Sequence, residues 1–163
     1  MPSVVNVPPD MLAPKPVLAY YHAQSQPLPR EMTAIEVWNR VMARPLPLIG
    51  LAFRIRDAVS ARFGVKRIGG FSGHRQSDPQ VGEMLDFFLV ERNDPQALTL
   101  TARDRHLDVM IAVTTGGRLL TITASVVTHN RFGRIYMLPV GPAHRLIVWV
   151  MLRRLAQELA RAA

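Results

Sequence analysis

The chain has no cysteine and only two lysines, Lys15 and Lys66, among its 163 residues. Without a thiol there can be no disulfide framework, thiolate metal site or cysteine nucleophile, so any catalysis must use His, carboxylates, hydroxyls or Tyr. With so little lysine, 18 of the 20 basic residues are arginine, and the formal net charge is +8. The arginines are scattered from Arg30 to Arg161, with no basic run longer than Arg153-Arg154. The clustering that a nucleic-acid surface needs is missing, so no specific nucleic-acid partner is expected. Long apolar runs are also lacking. The longest, Leu146 to Leu152, falls far short of the ~20 residues that cross a bilayer, and no membrane insertion is expected. Met1 to Lys15 contains four prolines but no basic segment leading into an apolar stretch. It therefore reads as an extended arm rather than a secretory signal, and a cytoplasmic location is expected. No Gly-x-Ser-x-Gly, phosphate loop, dinucleotide-binding glycine motif or catalytic carboxylate pair occurs, so no cofactor is expected.

What is present is globular in balance: 48% of residues are hydrophobic and 20% charged. A chain of this length fits one domain, here 16–163 after the arm, and buries roughly two thirds of its unfolded surface. Val17 to His22 reads as a first strand. Thr33 and Glu36 form a helix-start capping box, followed by an apolar stripe of Ile35, Trp38 and Met42, and Arg44-Pro45 ends that helix. A second helix is expected from Pro47, with Leu48, Leu51, Ala52, Ile55, Val59 and Phe63 on one face and Gly64 as its stop. Strands are expected at Met84 to Arg92, Leu98 to Arg103, His106 to Thr114 and Arg118 to His129. The third alternates with Leu107, Val109, Ile111 and Val113 on one face, and the fourth with Leu120, Ile122, Ala124 and Val126. A tight hairpin at Gly116-Gly117 joins them. Arg134 to Leu138 reads as a short strand or a descent into the final helix. That helix is expected from Pro142 through about Ala162, with a wide stripe including Leu146, Val150, Leu155 and Leu159.

The fold class expected is α+β, a curved antiparallel sheet packed around a long C-terminal helix, with two short helices after the first strand. That order resembles the helix-grip fold of START-like proteins, which implies a cavity between sheet and helix. His106-Leu107-Asp108, then Thr128-His129-Asn130 with Gly133-Arg134-Ile135-Tyr136, then Pro142-Ala143-His144-Arg145-Leu146-Ile147 resemble the signature of the bacterial domain of unknown function family 2867. The likeness runs from about Thr33 to Arg154. It implies no activity or substrate.

Several residues could carry chemistry. His106 and Asp108, two apart on a strand, would leave one face about 7 Å apart, as a carboxylate-oriented imidazole does. They lie opposite the apolar face, which favours a structural pair outside the cavity. His129 and Asn130 end a strand where binding groups are common, although Asn130 and Gly133 also suit a plain turn. Tyr136, His144 and Arg145 flank the expected start of the last helix, where free N–H groups could help hold an anion. His106, Asp108, His129 and His144 show no recognised metal-ligand spacing, and no metal is expected. Met42, Met110, Met137 and Met151, with Phe53, Phe87, Phe88 and Trp149, supply adaptable surface for a ligand cavity or equally a filled core. Three readings stay open. One is a binding domain for a small apolar or amphipathic ligand. Another is an enzyme using His129, Tyr136 or His106 in acid–base work. The last is an interaction module, a homodimer among them, using the sheet face of His106, Asp108, Thr121, Thr123 and Ser125.

Overall fold

The computed structural model describes residues 10–44, 46–62 and 70–162. Part of the expected N-terminal arm (1–9), together with Phe63 and Gly64, lies outside them, as do the side chains of Leu48, Leu51, Ala52, Ile55 and Val59. After a 3-10 turn at Lys15–Val17 come β1 (Tyr20–Pro27), α1 (Ala34–Met42) and α2 (Pro47–Arg62). Then follow β2 (Met84–Leu85), β3 (Phe88–Asp94), β4 (Ala97–Arg103), β5 (Leu107–Gly116), β6 (Leu119–Thr128) and α3 (Arg131–Arg161). The strands form one antiparallel sheet in the order β1-β6-β5-β4-β3-β2. The protein is thus α+β, a curved six-stranded sheet with a long C-terminal helix.

The local signals act as their chemistry requires. The Glu36 N–H donates to Thr33 Oγ1 and caps α1. The Glu36 carboxylate is held by Arg30 at 2.5 Å and Arg40 at 3.4 Å, which keeps its pKa below the usual carboxylate range. Asp94 Oδ1 accepts from the N–H groups of Gln96 and Ala97 and closes the β3–β4 hairpin. Gly117 and Arg118 both take left-handed backbone, at φ 55° and 64°, as a two-residue hairpin between right-twisted strands demands. Arg118 then ties that turn to the chain after β1 through the carbonyls of Leu28 and Pro29. The expected strand from Met84 to Arg92 is broken at Asp86, whose φ of 55° ends β2 before β3 begins.

Two rows cross the inner face of the sheet. One runs Tyr20, Val126, Val109, Ala102, and the next His22, Ala124, Ile111, Leu100, Val90. The alternation of β5 and β6 sends the expected apolar sets to this face. On the opposite face Thr123 and Ser125 are buried within the chain itself, and the Leu12 N–H donates to Ser125 Oγ. The protein's own N-terminal segment thus packs on that face at Ser125.

The last helix differs from expectation. It begins at Arg131, eleven residues before Pro142, and holds Pro139 and Pro142 in its interior. Each proline removes one i→i−4 bond, and a sequence reading takes such a pair as a boundary. Both are exposed, as are Ile135 and Leu138, whose carbonyls lose their helical partners, so water can satisfy the freed groups. The true start is set by Asn130, whose side chain accepts from the Gly133 N–H at 3.0 Å. Gly133 is buried against the carbonyl of His106, which itself accepts from the His129 N–H at 2.8 Å. A Cβ at Gly133 would overlap that carbonyl oxygen. Gly133→Ala should therefore destabilise the protein by about 3 kcal/mol. In the exposed, open position of Gly50 in α2, the same change should stabilise by about 1 kcal/mol. Urea unfolding of both variants checks the opposite signs.

Candidate functional site

Beyond Val148 in α3, Leu152, Leu155 and Leu159 are fully packed, sharing one core with Leu28, Val37, Leu98 and Leu120. By contrast, the α3 residues Tyr136, Met137, Val140, Ile147 and Met151 are only half-buried. They face a cavity of about 770 Å³. Its floor is Ala102, Val109, Ile111, Ala124 and Val126 of the sheet. Trp38 and Met42 of α1, Phe53 of α2, and Phe71, Phe87 and Phe88 complete it. The phenylalanines form a connected aromatic wall, with ring centroids between 4.4 and 6.0 Å apart. Charged lining groups are engaged: Arg56 pairs with Asp57, Arg103 with Asp108, Asp86 accepts from Ser72 N–H, and Asp104 accepts from His106 N–H.

The polar feature of the lining is a pair contributed by β1 and α3. Tyr20 Oη lies 3.2 Å from His144 Nδ1 and donates to the Gly141 carbonyl at 3.2 Å. Gly141 allows this close approach, because a Cβ there would stand in tight contact 3.1 Å from the Tyr20 ring. His22, one row along β1, meets His144 edge-to-face at 6.3 Å, and its Nδ1 is buried with no hydrogen-bond partner among the described residues. Burial, with His22 adding to it, pushes His144 down to about 4. Burial also lowers His22, with the Arg145 cation reinforcing it, and raises Tyr20 against the opposing pull of Arg145. At neutral pH the three groups are uncharged and can each exchange hydrogen bonds with a neutral polar atom.

Of the residues singled out in the sequence, the structure brings Tyr136, His144 and His106 to the cavity and leaves others outside it. His144 stands inside α3 rather than in its first turn, so the free N–H groups expected beside it are not there. Arg145 is exposed, its guanidinium 5.7 Å from the Tyr20 ring centroid. Asn130 is the helix cap, with its amide nitrogen 2.9 Å from His106 Nδ1. His106 and Asp108 do not pair. Both His106 and Leu107 N–H groups are drawn to Asp104 Oδ1, so β5 and its alternation start only at Leu107. The His106 ring turns to Phe132, with centroids 4.5 Å apart, while Asp108 binds His129 Nε2 at 3.1 Å and Arg103 at 3.1 Å. The carboxylate–imidazole pair therefore exists, but with His129, and outside the cavity lining. His129, Tyr136 and His106 do not assemble into an acid–base pair within the cavity. Met42, Met137, Met151, Phe53, Phe87 and Phe88 do line it. Met110 is on the other sheet face, opposite Ser125 and Thr101, and Trp149 is exposed. Tyr20 and His22 went unnoticed in the sequence. Their signal, the run Tyr20, His22, Gln24, Gln26 at every second position, reads as a wet strand face.

Fold and site together define a class: an α+β protein whose antiparallel sheet and terminal helix enclose an apolar cavity with a neutral Tyr–His pair. The model of the family described as protein of unknown function (DUF2867) matches residues 16–151, and the chain belongs to that family. No curated protein and no solved structure shows a significant match to it.

The depressed His144 makes stability depend on pH. Between 6.5 and about 4 the unfolded chain binds a proton at this position that the folded protein does not, so stability is complete above 6.5 and declines as pH falls. The loss should reach roughly 3 kcal/mol near pH 4. His22 adds to it with the same sign, while Glu36 and Asp94, lowered from 4.5 and 3.8, begin to add their own losses only as pH falls through those values. Urea unfolding across this range should show the decline, and His144→Gln should flatten most of it.

Proposed function

We propose that this protein binds a small amphipathic molecule, with its apolar body in the cavity and a neutral polar group, a hydroxyl or carbonyl, hydrogen-bonded by Tyr20 and His144. The observation that carries this reading is the cavity of about 770 Å³ between the sheet and α3, walled by aromatic and aliphatic side chains. Its volume lies within the range of roughly 300–1,000 Å³ that small-molecule sites occupy, and a few convergent polar groups in an apolar wall are how such sites fix orientation. A filled core would have buried Tyr136, Met137, Val140 and Met151 as fully as Leu152 and Leu155. The protonation states narrow the ligand. A cationic head on the Tyr20–His144 pair would meet two neutral groups with the Arg145 cation close by, whereas a hydroxyl or carbonyl needs only the hydrogen bonds they offer.

Trp38 lines the cavity and the second tryptophan, Trp149, does not, so Trp149→Phe leaves a single reporter inside the site. Titration of that variant with a medium-chain fatty alcohol should give a saturable change in Trp38 emission. Adding Tyr20→Phe should weaken the alcohol about tenfold and leave the matching alkane unaffected. Val140→Phe, which fills the cavity, should weaken both. An emission that never saturates, or binding that Val140→Phe does not touch, would sink the proposal.

A further inference from the structure

The outward side of α3 is a second apolar surface, separate from the cavity. Ile135, Leu138, Leu146 and Trp149 are 66%, 72%, 61% and 46% exposed, and the exposed Pro139 and Pro142 lie between them. Their spacings of three, four and seven put them on one face of the helix, in a stripe about 20 Å long. Arginine surrounds it. Arg131 and Arg134 stand at one end, Arg153 and Arg154 at the other and Arg145 alongside, all exposed. The Arg153 guanidinium lies 5.3 Å from the Trp149 ring centroid. The first carboxylate in α3 is Glu158, beyond the stripe.

We propose that this face docks on the surface of a bilayer containing anionic lipid, with the apolar stripe at the headgroup boundary and the arginines on the phosphates. An apolar helix face with a tryptophan and a cationic margin is the composition of a helix lying in the membrane plane. A second copy of the chain fits less well, since pairing two such faces would bring five arginines of each copy together with no carboxylate on the stripe to meet them. By length and composition α3 could also cross a membrane. However, crossing would strip Val148, Leu152, Leu155 and Leu159 from the core, and the carbonyls of Ile135 and Leu138, freed by the prolines, would lie in hydrocarbon. At the hydrated boundary those carbonyls keep water. The proposal does not depend on what the cavity holds.

The full chain, mixed with phosphatidylcholine vesicles with and without about one third phosphatidylglycerol, is separated by flotation. Expected is flotation with the anionic vesicles alone, released by high salt, with Trp149 fluorescence quenched by brominated lipid. Leu146→Glu, and independently Arg153→Gln with Arg154→Gln, should each weaken binding about tenfold or more while leaving the far-ultraviolet circular dichroism and the urea midpoint unchanged. The proposal is overturned by a protein that floats with neither vesicle, by equal flotation with both, or by wild-type flotation of folded Leu146→Glu. It is equally overturned by a dimer in solution that Leu146→Glu converts to monomer.

Discussion

The structure depends on one long helix held over the sheet at two places. At 1.5 Å per residue, the 31 residues of α3 extend about 46 Å, whereas a ten-residue strand such as β5 or β6 spans about 33 Å. α3 is fixed in two places. Its C-terminal half is held by burial of Val148, Leu152, Leu155 and Leu159, and its first turn by the Asn130 cap and the close approach of Gly133 to the His106 carbonyl. Between these anchors the inner face of the sheet carries small or branched side chains, Ala102, Val109, Ala124 and Val126, that do not reach high enough to fill the space. Tyr20 is the exception, standing up from β1 to meet the helix at Gly141. The cavity follows from a span held at both ends over a low floor.

Strands β4, β5 and β6 were legible in the sequence because each has one apolar face, and alternation over seven to ten residues leaves little choice of register. By contrast β1, expected at Val17 to His22, runs Tyr20–Pro27 with polar side chains at alternate positions and so gave no such signal. The turn at Asp94 sits where turn chemistry puts it, whereas the β5–β6 hairpin turns on Gly117 and Arg118, one residue past the expected Gly116-Gly117, because Gly116 still pairs with Leu119 as the end of β5. The start of α3 was not legible, because the rule that proline ends a helix assumes that the carbonyls it frees have nowhere to go. Here those carbonyls belong to exposed residues, so the helix runs through two prolines. The decisive signal was Asn130 followed three residues later by Gly133. It reads equally as a turn, and only the close approach to His106 shows why a cap and a glycine are needed together.

The same error displaced the site. Once His144 is placed in a first helical turn it looks like part of an anion cradle, whereas inside the helix it points to a desolvated position beside Tyr20 and His22. His106 and His129 exchanged roles because strand alternation was extended one residue too far. Asp104 captures the N–H groups of His106 and Leu107, and that bend lets the His106 ring reach Phe132 and leaves Asp108 to His129. Partnership across β1 and α3, 124 residues apart for Tyr20 and His144, leaves no local pattern to read.

The helix also sorts charge. Its cavity-facing side carries Phe132, Tyr136, Met137, Val140, His144, Ile147 and Met151, and none of its six arginines joins that lining. A proton on His144 would sit in a desolvated space with His22 as its close titratable neighbour and no carboxylate among the groups that shift it, which is why its affinity for protons is so low. Burying a phenol and an imidazole is costly unless their hydrogen bonds are met, and here the Gly141 carbonyl takes the phenolic proton while the phenolic oxygen accepts from His144 in its Nδ1–H tautomer. The lining that α3 contributes is thereby polar without being charged. The positive charge of α3 is confined to the surface, where water or an anionic partner can solvate it. A helix built this way presents an uncharged side to the cavity and a cationic side to solvent, and neither side interferes with the other because the peptide cylinder stands between them.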